Sequence, residues 1–124
     1  MSSVFLKNVF NIAALLVLIT GASAAFAHAH LEQSTPAADS NVSSVKELRL
    51  VFSEGVEDQF AQVAINHDGT SVAVTGIKTE PANKKVLIVT LAQALPAGQY
   101  TVGWKVVSVD THKSNGQYSF TVSN

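Results

Sequence analysis

From residue 100 to residue 106 every second side chain is large and apolar, namely Tyr100, Val102, Trp104 and Val106, while Lys105 interrupts from the other side. A helix would scatter these four around its axis. An extended strand, whose side chains alternate with period 2, gathers them on one face. The same alternation recurs in Leu48, Leu50 and Phe52, and again in Tyr118, Phe120 and Val122, with Gln117, Ser119 and Thr121 outward. No segment after residue 27 sustains a helical period, so the folded part of the chain is expected to be all-β.

Turn residues divide these rows into short strands. Pro96-Ala97-Gly98 precedes the Tyr100 row, and Pro81-Ala82-Asn83 precedes a strand over residues 85–91. The apolar residues of that strand fall on both faces, which predicts cover on two sides. Residues 61–66 and 71–77 read as strands joined across His67-Asp68-Gly69, where Asp-Gly is a hairpin signal. With a first strand at residues 30–33, about seven strands result, the pattern of a small Greek-key β-sandwich or barrel.

The first 27 residues belong to a different kind of segment. Lys7 supplies a positive start, residues 12–19 form an unbroken apolar run, and Ala25-Phe26-Ala27 has the small-x-small form of an export cleavage site. The run is too short to cross a bilayer, which needs about 20 residues. The expected organisation is therefore a cleaved leader, 1–27, followed by one domain, 28–124. Ala22-Ser23-Ala24 and Ala27-His28-Ala29 also satisfy the cleavage pattern, and the second would leave His30 at the terminus.

Losing the leader removes one of eight basic residues and none of nine acidic ones, so the domain is slightly acidic and nucleic acid is not an expected partner. The chain has no cysteine, and its single methionine is Met1. Packing must then stabilise the domain without disulfides. Soft ligands for Cu(I) are also missing from it, so a metal bound here would meet only nitrogen and oxygen.

Cleavage after Ala27 would expose His28, whose free α-amine and Nδ1 can close a six-membered chelate ring on a tetragonal ion such as Cu(II). Asp110 and His112 stand two residues apart between the Trp104 and Tyr118 strands. If that link is extended, both side chains emerge on one side and offer an oxygen and a nitrogen to a common point. Amine, His28, His112 and Asp110 together make a set of three nitrogens and one oxygen suited to Cu(II). On its own, Asp-x-His also reads as a polar surface loop. His30 permits a competing arrangement, in which a flexible His28-Ala29-His30 terminus wraps Cu(II) or Ni(II) through deprotonated backbone amides. His67 reads as a solvated turn residue, and Trp104 as core.

The opening H-A-H-L-E-Q-S-T-P-A-A-D at 28–39, V-F-S-E-G-V-E at 51–57 and Y-T-V-G-W-K-V-V-S-V-D-T-H at 100–112 resemble the CopC family of periplasmic copper-binding proteins, and within it the YobA-like members. The resemblance runs through the whole domain in order. It implies an Ig-like, cupredoxin-like Greek-key β-sandwich in the periplasm. It also implies one Cu(II) per chain, with His28 bidentate through amine and imidazole, His112 as the opposing imidazole and Asp110 as the carboxylate. Glu54 matches a family position near the site and would steady the amine, or else is a solvated strand end. The implied role is copper homeostasis, resistance or delivery by a monomer, with an inner-membrane copper transporter of the CopD type as partner. Thr111 stands where many family members have glycine, and the methionine-rich segment of Cu(I)-binding relatives is missing.

Two other classes of function compete with this reading. A copper oxygenase would share the N-terminal histidine brace, but Asp110 would fill the coordination position that oxygen needs. An Ig-like adhesion or assembly module would leave the histidines incidental. Hydrolysis lacks support, because no serine has a histidine and carboxylate at recognisable motif spacing.

Overall fold

Rows of alternating apolar residues can leave water only by closing on one another, and a computed structural model, which describes residues 28–124, shows how they do so. The leader expected over 1–27 lies outside the described residues. The strands are β1 (Leu31–Thr35), β2 (Asn41–Val42), β3 (Glu47–Phe52), β4 (Gln62–His67), β5 (Thr70–Ser71), β6 (Val74–Glu80), β7 (Asn83–Leu91), β8 (Gly98–Val107) and β9 (Lys113–Val122). They form two sheets, ordered β1-β3-β7-β6 and β2-β9-β8-β4-β5. Every pairing is antiparallel except that of β2 with β9. Seven strands have five residues or more, and β2 and β5 add two short edges.

The core lies between the sheets. Leu48, Leu50 and Phe52 of β3 and Leu87, Val89 and Leu91 of β7 meet Tyr100, Val102, Trp104 and Val106 of β8 and Tyr118, Phe120 and Val122 of β9. Burying one such aliphatic or Phe side chain stabilises the fold by about 1.5–3 kcal/mol relative to exposure, and this packing replaces the missing disulfides. Trp104 stands edge-on to Phe52 at 5.1 Å between ring centroids, joining the two sheets. It can do so because its cross-strand partner is Gly116, where a Cβ would lie 2.6 Å from Trp104 Cζ2.

Two expectations about strands need correction. Residues 71–77 are not one strand. Thr70–Ser71 closes a hairpin with β4 across Asp68 and Gly69, both at positive φ as a type I′ turn requires, and the chain then crosses to the other sheet as β6. The crossing brings Val74 and Ile77 against the core from the opposite side. Nor is β7 covered evenly on two faces. Opposite its core row, Val86 is buried, Ile88 half-buried and Thr90 exposed, because a two-layer sandwich leaves the outer face of each sheet largely to solvent.

The register of β8 with β9 runs without a shift from Gly98↔Val122 to Val107↔Lys113. This long ribbon delivers residues 108–112 to one end of the sandwich.

Candidate metal centre

Two pieces of chain from opposite ends of the domain meet at that end. The first is the segment leading into β1, where burial alternates: His28 and His30 are exposed and Ala29 is fully buried in the core. Two serines, one on β9 and one just past the end of β3, hold its backbone. Ser114 Oγ of β9 donates to the Ala29 carbonyl at 2.8 Å. His30 N–H donates to Ser53 Oγ at 2.9 Å, and Ser53 N–H returns a bond to the His30 carbonyl at 2.8 Å.

The second piece is the β8–β9 turn, and it is not the extended link that sequence reasoning assumed. Ser108 N–H donates to the His112 carbonyl and Thr111 N–H to the Ser108 carbonyl, each at 2.8 Å, so three residues make the loop. Thr111 takes φ +74°, the left-handed position that closes a three-residue hairpin loop and that glycine usually fills. Sequence periodicity could not foresee this, since a tight turn breaks the period. The 53–57 segment supports the loop from the side, with Val109 N–H donating to the Gly55 carbonyl at 2.9 Å and Val56 bridged to Ser108.

The turn nonetheless brings together the side chains expected to act together. Asp110 Oδ1 lies 3.1 Å from His112 Nδ1. Ser108 Oγ donates to the same Oδ1. These bonds, from Ser108 first and His112 second, hold the Asp110 carboxyl below the usual carboxylate range. The His112 ring in turn meets the His28 ring edge-on, with centroids 5.2 Å apart and planes at 81°. Imidazole nitrogens bind a first-row ion such as zinc at about 2.0–2.1 Å, and rings at this separation can share one ion. The donor set is one of neighbours, not a closed cage: among the described residues no three His, Asp or Glu side chains already converge as a metal site.

The remaining candidates fall into distinct places. Glu54 is half-buried in the supporting segment and carries no side-chain hydrogen bond among the described residues. His67 is not a solvated turn residue. Its ring stacks on Tyr100 at 4.8 Å and its Nδ1 meets the Gln99 carbonyl at 3.0 Å, because the glycine at position 98 leaves room for it. Sequence reasoning missed Ser53, Ser108 and Ser114. Ser108 had a readable signal, as it occupies the next inward position after Tyr100, Val102, Trp104 and Val106, where a polar residue is unusual.

The profile of the CopC domain matches residues 31–123. The chain belongs to the CopC family. It is 46% identical over 103 residues to Protein YobA of Escherichia coli K12, covering 78% of this chain and 80% of that one. Against Copper resistance protein C of Escherichia coli the identity is 36% over 108 residues, covering 82% and 86%. The crystal structure of PcoC, a methionine-rich copper resistance protein from Escherichia coli, superposes with a TM-score of 0.71 at 35% identity, covering 78% of this chain and all of that one. The function of this CopC protein is thus copper-related, and it is a binding protein, not an enzyme. It differs from PcoC in having no methionine beyond Met1.

Proposed function

We propose that the protein carries Cu(II) in the periplasm, binding one ion through the amine and imidazole of His28, the imidazole of His112 and the carboxylate of Asp110, once the leader is removed after Ala27. The observation that carries this reading is the pairing of the His28 and His112 rings at 5.2 Å beside the Asp110 carboxylate. Copper is the cargo. With the His112 Nδ1–H donating to Asp110, its Nε2 keeps a free electron pair, the state in which imidazole binds metal.

The competing His28-Ala29-His30 mode needs a loose terminus and deprotonated backbone amides. The His30 amide is already a donor to Ser53, and the Ala29 side chain is locked in the core, so that mode would have to unmake the start of β1. His30 is therefore no ligand in this proposal, and Glu54 stands beside the site without touching the ion. Nitrogen and carboxylate donors favour Cu(II), and without cysteine or methionine nothing soft holds the reduced ion. Release on reduction then suits a monomeric carrier that passes copper to an inner-membrane transporter of the CopD type.

Competition titration of the exported protein against a Cu(II) chelator tests the reading, with intact mass reporting the first residue and the stoichiometry. One Cu(II) per chain, crippled by His112→Ala and indifferent to His30→Ala, is expected. One extra residue before His28 should also weaken binding strongly, because it removes the amine from the chelate. The opposite ranking of the two histidines, with Ni(II) bound as well, would refute the brace.

A further inference from the structure

Ser108 is 1% exposed and, the aromatic residues aside, is the one buried polar residue among the described residues. The site needs a reason for it, since the inward row that it continues would accept an apolar residue. A hydroxyl offers one proton and two lone pairs. Ser108 Oγ accepts from His112 N–H at 3.2 Å, and two acceptors compete for its proton: Asp110 Oδ1, and the His112 carbonyl at 3.2 Å. A bond to an ionised carboxylate is the stronger, so the proton goes to Asp110. One buried group thereby touches both residues of the Asp110–His112 pair. It ties down one carboxylate oxygen from the interior while the ring of His112 meets the same oxygen from outside.

We propose that Ser108 is a positioning residue of the copper site, which fixes the rotation of the Asp110 carboxylate against the His112 imidazole. This rests on the brace reading above. Ser108 itself does not touch the ion. It removes the freedom that an exposed carboxylate on a turn would otherwise have, so that Asp110 presents its other oxygen in one direction. Partners of this kind, bonded to metal ligands from behind, typically contribute 10–100-fold to metal affinity.

The test is a double-mutant cycle on the processed protein, reading Cu(II) affinity by chelator competition and the copper environment by EPR. Ser108→Ala should weaken Cu(II) binding by about 10–100-fold and change the hyperfine splitting, and Ser108→Thr, which keeps the hydroxyl, should recover most of both. In an Asp110→Ala background Ser108→Ala should cost nothing further. An equal loss in both backgrounds would show that Ser108 acts through the fold and not through Asp110, and an unchanged affinity and spectrum in folded Ser108→Ala would also overturn the proposal. Ser108→Gly replaces the alanine variant should that one not fold. His112→Ala is the control for the underlying reading. If it leaves copper binding intact the brace itself fails, whereas loss with His112→Ala and silence with Ser108→Ala condemns the role of Ser108 alone.

Discussion

Replacing Thr111 by glycine should stabilise the metal-free protein relative to replacing it by alanine, reversing the order these residues show in ordinary strands. Thr111 sits at φ +74°, and its exposed side chain bonds only to the carbonyl of its own neighbour, Asp110. Removing the side chain therefore disturbs little packing, and the backbone decides the outcome. An L-residue held in the left-handed region costs roughly 1–2 kcal/mol, which alanine still bears and glycine does not. Glycine in turn loses about 0.5–1 kcal/mol relative to alanine through its greater freedom in the unfolded chain. The balance favours glycine by up to about 1.5 kcal/mol, or up to about 6–12 °C in Tm for a domain of this size. Urea unfolding of both variants measures it, with equal m-values as the check that only stability changed. An alanine variant as stable as the glycine variant, or more so, would show that the turn does not hold residue 111 in a conformation that favours glycine.

Three further outcomes follow from the packing and the charges. Asp110 has its pKa lowered by Ser108 and His112, so its contribution is fully present above the unfolded value of about 3.9 and is lost as pH falls through the lower folded value; acid unfolding of Asp110→Asn should be less steep below about pH 4, and superimposable acid limbs would refute this. The Tyr118 hydroxyl is buried without a hydrogen-bond partner among the described residues; Ser34 comes close enough to draw its pKa down slightly, but burial dominates and pushes the phenol far up. Tyr118→Phe should then be neutral or stabilising by up to about 1 kcal/mol, and a loss larger than that in thermal melts would reveal a bond the hydroxyl does make. Gly116→Ala places a Cβ 2.6 Å from Trp104 Cζ2 and should cost about 1–3 kcal/mol with a change in Trp104 fluorescence; an unaltered midpoint and spectrum would mean the indole can move aside.

Much of the fold was legible because burial imposes a period. Leu48, Leu50, Phe52, Tyr100, Val102, Trp104, Val106, Tyr118, Phe120 and Val122 are all core, as their alternation requires. The reading failed where a strand end or turn replaced the period with specific bonds. Residues 71–77 carry no mark of the point where the chain changes sheets, and the apolar pattern of residues 85–91 could not show that Ile88 stays half-exposed on an outer face. His67 looked like a turn residue because sequence spacing cannot show that Tyr100 lies under its ring.

The same division runs through the candidate site. Residue chemistry alone determined which donors the chain can offer: imidazoles and carboxylates but no thiolate, and a thioether only at Met1, a set that favours harder ions over soft ones. It could not determine that His28 lies beside His112, because that proximity comes from neither local spacing nor propensity. It is decided by the burial of Ala29 and by the bond from Ser114 to its carbonyl, which lock the start of the domain against β9. Nor could it assign Ser108 to the pair, since a serine that serves only as a hydroxyl in a loop and one that is buried behind a carboxylate are the same letter. Donor identity is a property of single residues, while the distance between donors belongs to a packed interior in which two sheets leave each side chain one place to go.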